Sequence, residues 1–309
     1  MADLALSPAQ PSAYRRGVLL VVLGAVTASW MGLGVRTMED ATAWQILSFR
    51  SFGATVFLLA AILATNPGDL AATLRRAARA TLIGGIGIAT AFSGVIVALQ
   101  LTTVANTMFV MAAAPFLAAV IGRMALGEHV RLATWIAIFV SLAGVALMVA
   151  ENVSFGLIGG NVAALIAALG LAVFIVALRS NRQVSMLPAA ALGGLLGTVV
   201  ALVMCFFVTG VGLALSLHDI LLSLALGVFQ LGLALLFLVF GARHVPAAEV
   251  ALLNLTEVVL GPLWVWLAYD EATGIYTLIG GALVLAAVAG DIVTGERERR
   301  RRVKRATAS

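Results

Sequence analysis

The chain has 309 residues, of which 62% are hydrophobic and only 11% charged, with a formal net charge of +5 and a mean hydropathy of +1.10. Soluble domains carry about 25% charged residues, so no water-soluble fold hides this much apolar surface, and an all-α membrane protein is the expected class. A hydrocarbon core of about 30 Å takes about 20 helical residues, which caps this length at roughly ten to twelve spans.

The first apolar run follows Tyr14, Arg15 and Arg16 and extends from Gly17 to Val35. A basic start before an apolar stretch imitates a secretory signal, but this run is long enough to span and others follow. They lie at Trp44 to Thr65, Ala80 to Leu101, Thr103 to Gly122 and Leu132 to Ala150. After a short link, five more lie at Leu157 to Leu178, Met186 to Gly212, Ile220 to Gly241, Pro246 to Tyr269 and Ile275 to Thr294. The single cysteine, Cys205, sits in the apolar run VVALVMCFFV. It allows neither a disulfide framework nor a cysteine metal site, and it reads as a small packed hydrophobe.

Charge placement tests this count of ten independently, because cytoplasmic loops collect Lys and Arg. With the amino terminus inside, 17 of the 19 basic residues fall on the inner side, and only Arg36 outside and Arg50 within the second span depart. Ten spans with both termini cytoplasmic, in a bacterial inner membrane, are therefore expected. Trp30, Trp44, Trp264, Trp266 and Tyr269 fall near outer span ends, where an aromatic belt would place them. The tail GERERRRRVKR has no interleaved aromatics and directly follows a span, where basic residues anchor topology and meet anionic lipid. Membrane lipid is thus an expected partner and nucleic acid is not.

The Asn106 to Glu128 stretch lies on Glu249 to Glu271 at a fixed offset of 143 without a gap. Asn106 then falls on Glu249 and Glu128 on Glu271. Each half holds five spans, an odd number, so the second half is expected upside down relative to the first. The expected fold is ten transmembrane helices as two inverted five-helix repeats, a mark of secondary transporters whose substrate site lies near the midplane. The expected organisation is an amino-terminal tail at 1–16, the first repeat at 17–150, a linker at 151–156, the second repeat at 157–294 and a basic tail at 295–309.

These residues carry a family resemblance. Asn106 to Pro115, then Gly127-Glu128 and Gly144-Val145-Ala146-Leu147, resemble the first half of an EamA-type member of the drug/metabolite transporter superfamily. Pro246-Ala247-Ala248-Glu249 through Glu257, then Asp270-Glu271 into Ile279-Gly280-Gly281-Ala282-Leu283, resemble its second half. Arg50, in Leu47-Ser48-Phe49-Arg50-Ser51-Phe52, resembles the arginine such proteins often show in the second span. Two departures stand out. The usual Glu-Pro of the ninth span is Glu257-Val258, with Pro262 later, and the usual Gly-Glu before the tenth is Asp270-Glu271. They leave the helix break of the ninth span open. The resemblance implies an exporter of small metabolites working by alternating access through a central cavity, with YddG-like amino-acid exporters the nearest pattern.

The polar residues within spans are the candidate site. A carboxylate near the bilayer centre costs about 3 kcal/mol or more, so it persists only with a partner or a function. Glu257 lies about 16 Å from either end of its span, near the midplane. It would bind a substrate ammonium group or exchange a proton; the alternative is a structural ion pair. Asn254, three residues earlier, shares its face. Glu249 lies near the inner end of the same span, where reaching the interface is the alternative to a site role. Arg50 lies roughly 9 Å below the outer surface, within reach of snorkelling. In a cavity it would hold a substrate carboxylate or pair with Glu257, and the two would then meet opposite ends of a zwitterion. Asn106, Gln100, Gln230 and Asn161 are weaker candidates, since single amides in spans usually satisfy neighbouring helices. Trp30 could line an outer mouth or anchor the belt. The Gly156–Gly160 and Gly193–Gly197 spacings permit close helix contact without specifying monomer or homodimer.

An enzyme is not expected. His129, His218 and His244 fall in loops or span ends, so the spans hold no nucleophile–base pair or zinc site, and neither metal nor cofactor is expected. The only lysine is Lys304, which excludes a Walker site. Export of amino acids or similar small metabolites is the expected function. Proton-coupled efflux of cationic or lipophilic drugs is the alternative within transport, and a scaffold or channel the alternative outside it.

Overall fold

The computed structural model describes residues 11–65, 70–150, 158–181, 185–269 and 274–307, with only the backbone described at 11, 70–77, 105, 269 and 302–307. The expected linker at 151–156, with Gly156, and also Arg182, Asp270 and Glu271 lie outside the described residues. Among those described, all regular structure is helical, and ten segments are long and apolar enough to cross a bilayer. In order they are Ser12–Arg36, Ala43–Thr65, Ala78–Leu101, Asn106–Leu126, Leu132–Val149, Ile158–Ser180, Leu187–Val208, Leu217–Gly241, Ala247–Ala268 and Ile275–Arg301. A helix satisfies its backbone hydrogen bonds within itself, which is why each apolar run becomes one.

Ten crossings return the chain to the face where it began. There Arg15 pairs with Glu296 (Nε to Oε1 3.0 Å) and Arg299 lies over the Tyr14 ring, 4.1 Å from its centroid. This is the termini face. The last helix does not stop where its apolar run ends at Thr294 but continues to Thr307. Beyond the apolar part, the Glu296 and Arg300 pair, one turn apart, supports it.

The main span-to-span contacts are kept when the halves are exchanged. The third span packs on the sixth and the first on the eighth; the second packs on the eighth and the seventh on the third; the fifth and tenth pack on one another. Small residues allow these approaches. A Cβ at Gly170 would strike the Gly87 carbonyl, and one at Gly241 would strike that of Gly17, so the equivalent pairs of spans close on glycine in both halves.

The offset of 143 read from the sequence holds for the helices themselves. The fourth span is broken into Val104–Met111 and Ala114–Leu126, and the ninth into Ala247–Asn254 and Thr256–Tyr269. The offset carries Val104–Met111 onto Ala247–Asn254 and Leu126 onto Tyr269. In the fourth span Pro115 opens the second half and cannot donate back across the break. The ninth breaks without proline at the same place, where the Leu255 N–H tightens onto the Leu252 and Leu253 carbonyls, while Pro262 lies inside the following helix without ending it. Glu257 therefore stands in the first turn of a half-helix that begins within the membrane.

The two broken spans are close at one end only. Their termini-side halves, Ala114–Leu126 and Ala247–Asn254, pack on each other, whereas the far-side halves Val104–Met111 and Thr256–Tyr269 are not in comparable contact. The two broken spans thus meet at the termini face and part toward the opposite one.

Trp44 departs from the expected belt. It is buried with Leu47, Ile96, Ala201 and Cys205, because the seventh span covers that side of the second. The Cys205 side chain is fully enclosed in the same cluster.

Candidate functional site

Arg50 is 7% exposed and does not snorkel. Its Nη1 donates to the Gln230 side-chain oxygen at 3.3 Å and lies 2.9 Å from the Met31 sulfur, its guanidinium stands 5.7 Å from the Phe92 ring centroid, and its Nε is buried without a partner. Every direct partner is thus uncharged. The sequence arranges this locally in two ways. Gly227 on the eighth span has no side chain to hold it off the Arg50 carbonyl. Gln230 lies in a π-helical turn, Leu226–Gly232, a local rewinding that redirects side chains and recurs at functional sites. From that turn Gln230 also donates through Nε2 to the Ala28 carbonyl at 2.9 Å, tying the first, second and eighth spans together.

Glu257 and Asn254 flank the break of the ninth span. Both are half-buried, and among the described residues neither side chain has a hydrogen bond or ion pair. Glu257 lies within electrostatic reach of Arg50 without closing a salt bridge to it. Trp30, 48% exposed, meets Trp264 with ring centroids 5.4 Å apart, and the Trp264 indole donates to the Ser29 hydroxyl at 2.8 Å. These groups form an aromatic edge between the first and ninth spans.

The remaining sequence candidates are placed elsewhere. Asn106 donates from Nδ2 to the Asn161 side-chain oxygen at 2.9 Å and to the Thr102 hydroxyl at 3.1 Å, joining the fourth and sixth spans at the face away from the termini. Gln100 is exposed at the end of the third span. Glu249 does not reach the interface; it is 3% exposed and held in a buried cluster on the termini side. There Arg131 Nη2 meets Glu249 Oε1 at 3.0 Å and Asp291 Oδ1 at 2.9 Å, Tyr14 donates to Glu249 Oε2 at 2.8 Å, and Thr134 donates to Asp291 at 2.8 Å. Burial works against the Arg131 charge, but Glu249, Asp291 and Tyr14 more than offset it and hold the guanidinium above the ordinary arginine range.

A second buried pair braces the same side. Arg179 donates from Nε to Glu128 at 2.9 Å and from Nη1 to the Ala242 and Arg243 carbonyls at the end of the eighth span. The other Glu128 oxygen accepts the Ala247 N–H at 2.9 Å, the first amide of the ninth span, where an anion suits the helix terminus. Sequence reasoning passed over Asp291, Arg131, Tyr14, Met31 and Phe92 as functional residues. Asp291 had a signal, an acid within the last apolar run; the others look like loop basics or packing residues until their distant partners are placed.

Ten spans in two inverted repeats, enclosing an arginine, Arg50, whose direct partners are all uncharged, define a multi-pass membrane transporter. The family model described as the EamA-like transporter family matches residues 15–150 and again 158–290, and the chain belongs to that family, within the drug/metabolite transporter superfamily. A solved crystal structure shares the fold with a TM-score of 0.78, at 20% identity, over 93% of this chain and 99% of its own. No curated protein matches the sequence.

Proposed function

We propose that the chain is a secondary transporter that exports amino acids or similar small zwitterionic metabolites by alternating access, with Arg50 receiving the carboxylate and Glu257 the ammonium group. One observation carries this reading: a buried arginine with only neutral direct partners lies within electrostatic reach of a carboxylate that has no hydrogen bond of its own. A charge in an apolar interior is costly unless paired, and a zwitterion supplies both missing partners at once. Asn254 adds an amide beside Glu257, and Trp30 with Trp264 forms an aromatic wall. The first repeat (17–150) and the second (157–294) act as the two moving bodies. The basic residues gathered on the termini face favour cytoplasmic termini in a bacterial inner membrane.

Uptake into proteoliposomes, measured across amino acids, their decarboxylated amines and cationic dyes, tests the proposal. Amino-acid flux that falls in both Arg50→Ala and Glu257→Gln supports it. Flux unchanged in both variants removes the site. Dye flux that needs Glu257 but not Arg50 would instead favour drug efflux.

A further inference from the structure

We propose that Glu249 is the lock of a gate on the termini face, and that a proton taken up by Glu249 releases it. The proposal rests on the alternating-access reading above but not on which solute is carried.

The seam it closes lies between Ala114–Leu126 of the first repeat and Ala247–Asn254 of the second. Both surfaces are built of small residues. Ala118, Ala119 and Gly122 and, opposite them, Ala248 line one narrow cleft together with Glu128, His129, Arg131 and Glu249; a Cβ at Gly122 would rest 3.4 Å from that of Ala247. Small residues let the two half-helices approach closely within the main buried cluster, and polar bonds across the seam add a charged tie to that packing.

Glu249 makes those bonds. It stands on the ninth span and is gripped by two groups of the first five spans, Arg131 at the head of the fifth and Tyr14 on the first. The charged and titratable groups facing it are these two, Asp291 of the tenth span, and Arg299, whose Nη2 is 4.0 Å from Glu249 Oε1. Glu128, at the end of the fourth span, is held by Arg179 of the sixth and by the Ala247 N–H, and His129 lies at the rim of the cleft. The Glu249 and Asp291 oxygens both bind one nitrogen of Arg131, at 3.0 and 2.9 Å. They are therefore within about 6 Å of one another, where two carboxylates resist being ionised together. A proton bound to Glu249 removes that repulsion. Arg131 then remains with Asp291, and the first half of the ninth span loses its charged tie to the fifth.

The opposite face supplies the contrast. Asn106 occupies the position equivalent to Glu249, three residues into its half-helix, and its bond to Asn161 of the sixth span matches the bond of Glu249 to Tyr14 of the first. The amide pair holds no titratable group, so the two faces differ in what opens them.

The test uses the full chain in lipid nanodiscs, with A248C in a C205S background and a maleimide as probe. Ala248 lines the closed cleft and is 3% exposed. All rates are taken relative to that of a free thiol with the same maleimide at the same pH, because acid removes the reactive thiolate; on this scale, lowering the pH from about 8 to about 5.5 should raise labelling on the order of ten-fold as the carboxylate titrates. E249Q should label fast at both pH values. D291N should move the rise to lower pH, because Arg131 then serves Glu249 alone, a change of profile that a merely structural role would not produce. A parent rate independent of pH, or slow labelling in a folded E249Q protein, overturns the proposal. R50A should leave the profile unchanged, so loss of the substrate site and loss of the lock read out separately.

Discussion

Gly227 of the eighth span packs against the carbonyl of Arg50 on the second, so closely that a Cβ there would overlap it. Gln230, three residues further on in the same π-helical stretch, comes within 3.3 Å of the Arg50 guanidinium. Gly227→Ala should push the two spans apart. The expected result is a lower melting temperature in detergent together with weaker substrate binding, since overpacking a tight contact costs about 1–3 kcal/mol. Equal melting temperatures would mean that the seam relaxes without loss.

Arg50→Lys keeps the charge but not the planar fork that reaches Gln230. Lost charge-assisted hydrogen bonds cost about 1.5–3 kcal/mol each, so amino-acid affinity should fall by roughly 10- to 100-fold. Decarboxylated amines should be affected little. Competition binding with matched acid and amine pairs measures the difference.

Glu257→Gln retains the shape and hydrogen-bonding capacity of the side chain and removes its charge. Amine recognition should weaken on the order of ten-fold or more, whereas substrates lacking the ammonium group should bind as before. A variant that loses both classes equally would point to a structural role at the helix break.

Arg179 and Glu128 are both almost fully buried and join the ends of the fourth, sixth, eighth and ninth spans. Removing one member of a buried pair leaves the other charge uncompensated, at about 3–5 kcal/mol. Arg179→Ala should therefore lower thermal stability far more than Arg15→Ala, whose partner Glu296 is met at an exposed surface. Melting curves of the two variants side by side give the comparison.

His244, between the eighth and ninth spans, supplies a pH dependence of stability. Burial first, then the Arg243 and Arg179 charges, holds its imidazole below the ordinary range. In the unfolded chain it takes a proton near pH 6.5, at about the reference value. Acid thus favours the unfolded state: the contribution is present above that value and is lost as the pH falls toward the folded one. The melting temperature should decline below about pH 6.5, and His244→Gln should flatten that decline.

The sequence by itself determined the spans and their pairing into repeats, because both are local properties. Each apolar run must satisfy its own backbone in lipid, and the offset of 143 that joins Asn106 to Glu249 also carries the broken fourth helix onto the ninth. It likewise marked Arg50, Glu257 and Asn254 as costly in a membrane. Tertiary structure alone decided what surrounds each of them. The groups that hold Glu249 are Tyr14, Arg131 and, at 4.0 Å, Arg299, all distant in sequence; Trp44 is covered by a helix more than a hundred residues away; Gln230 reaches Arg50 from a π-helical stretch of the eighth span. A charge announces its cost from sequence, but whether it is paired, enclosed or left open depends on distances between segments that no local pattern encodes.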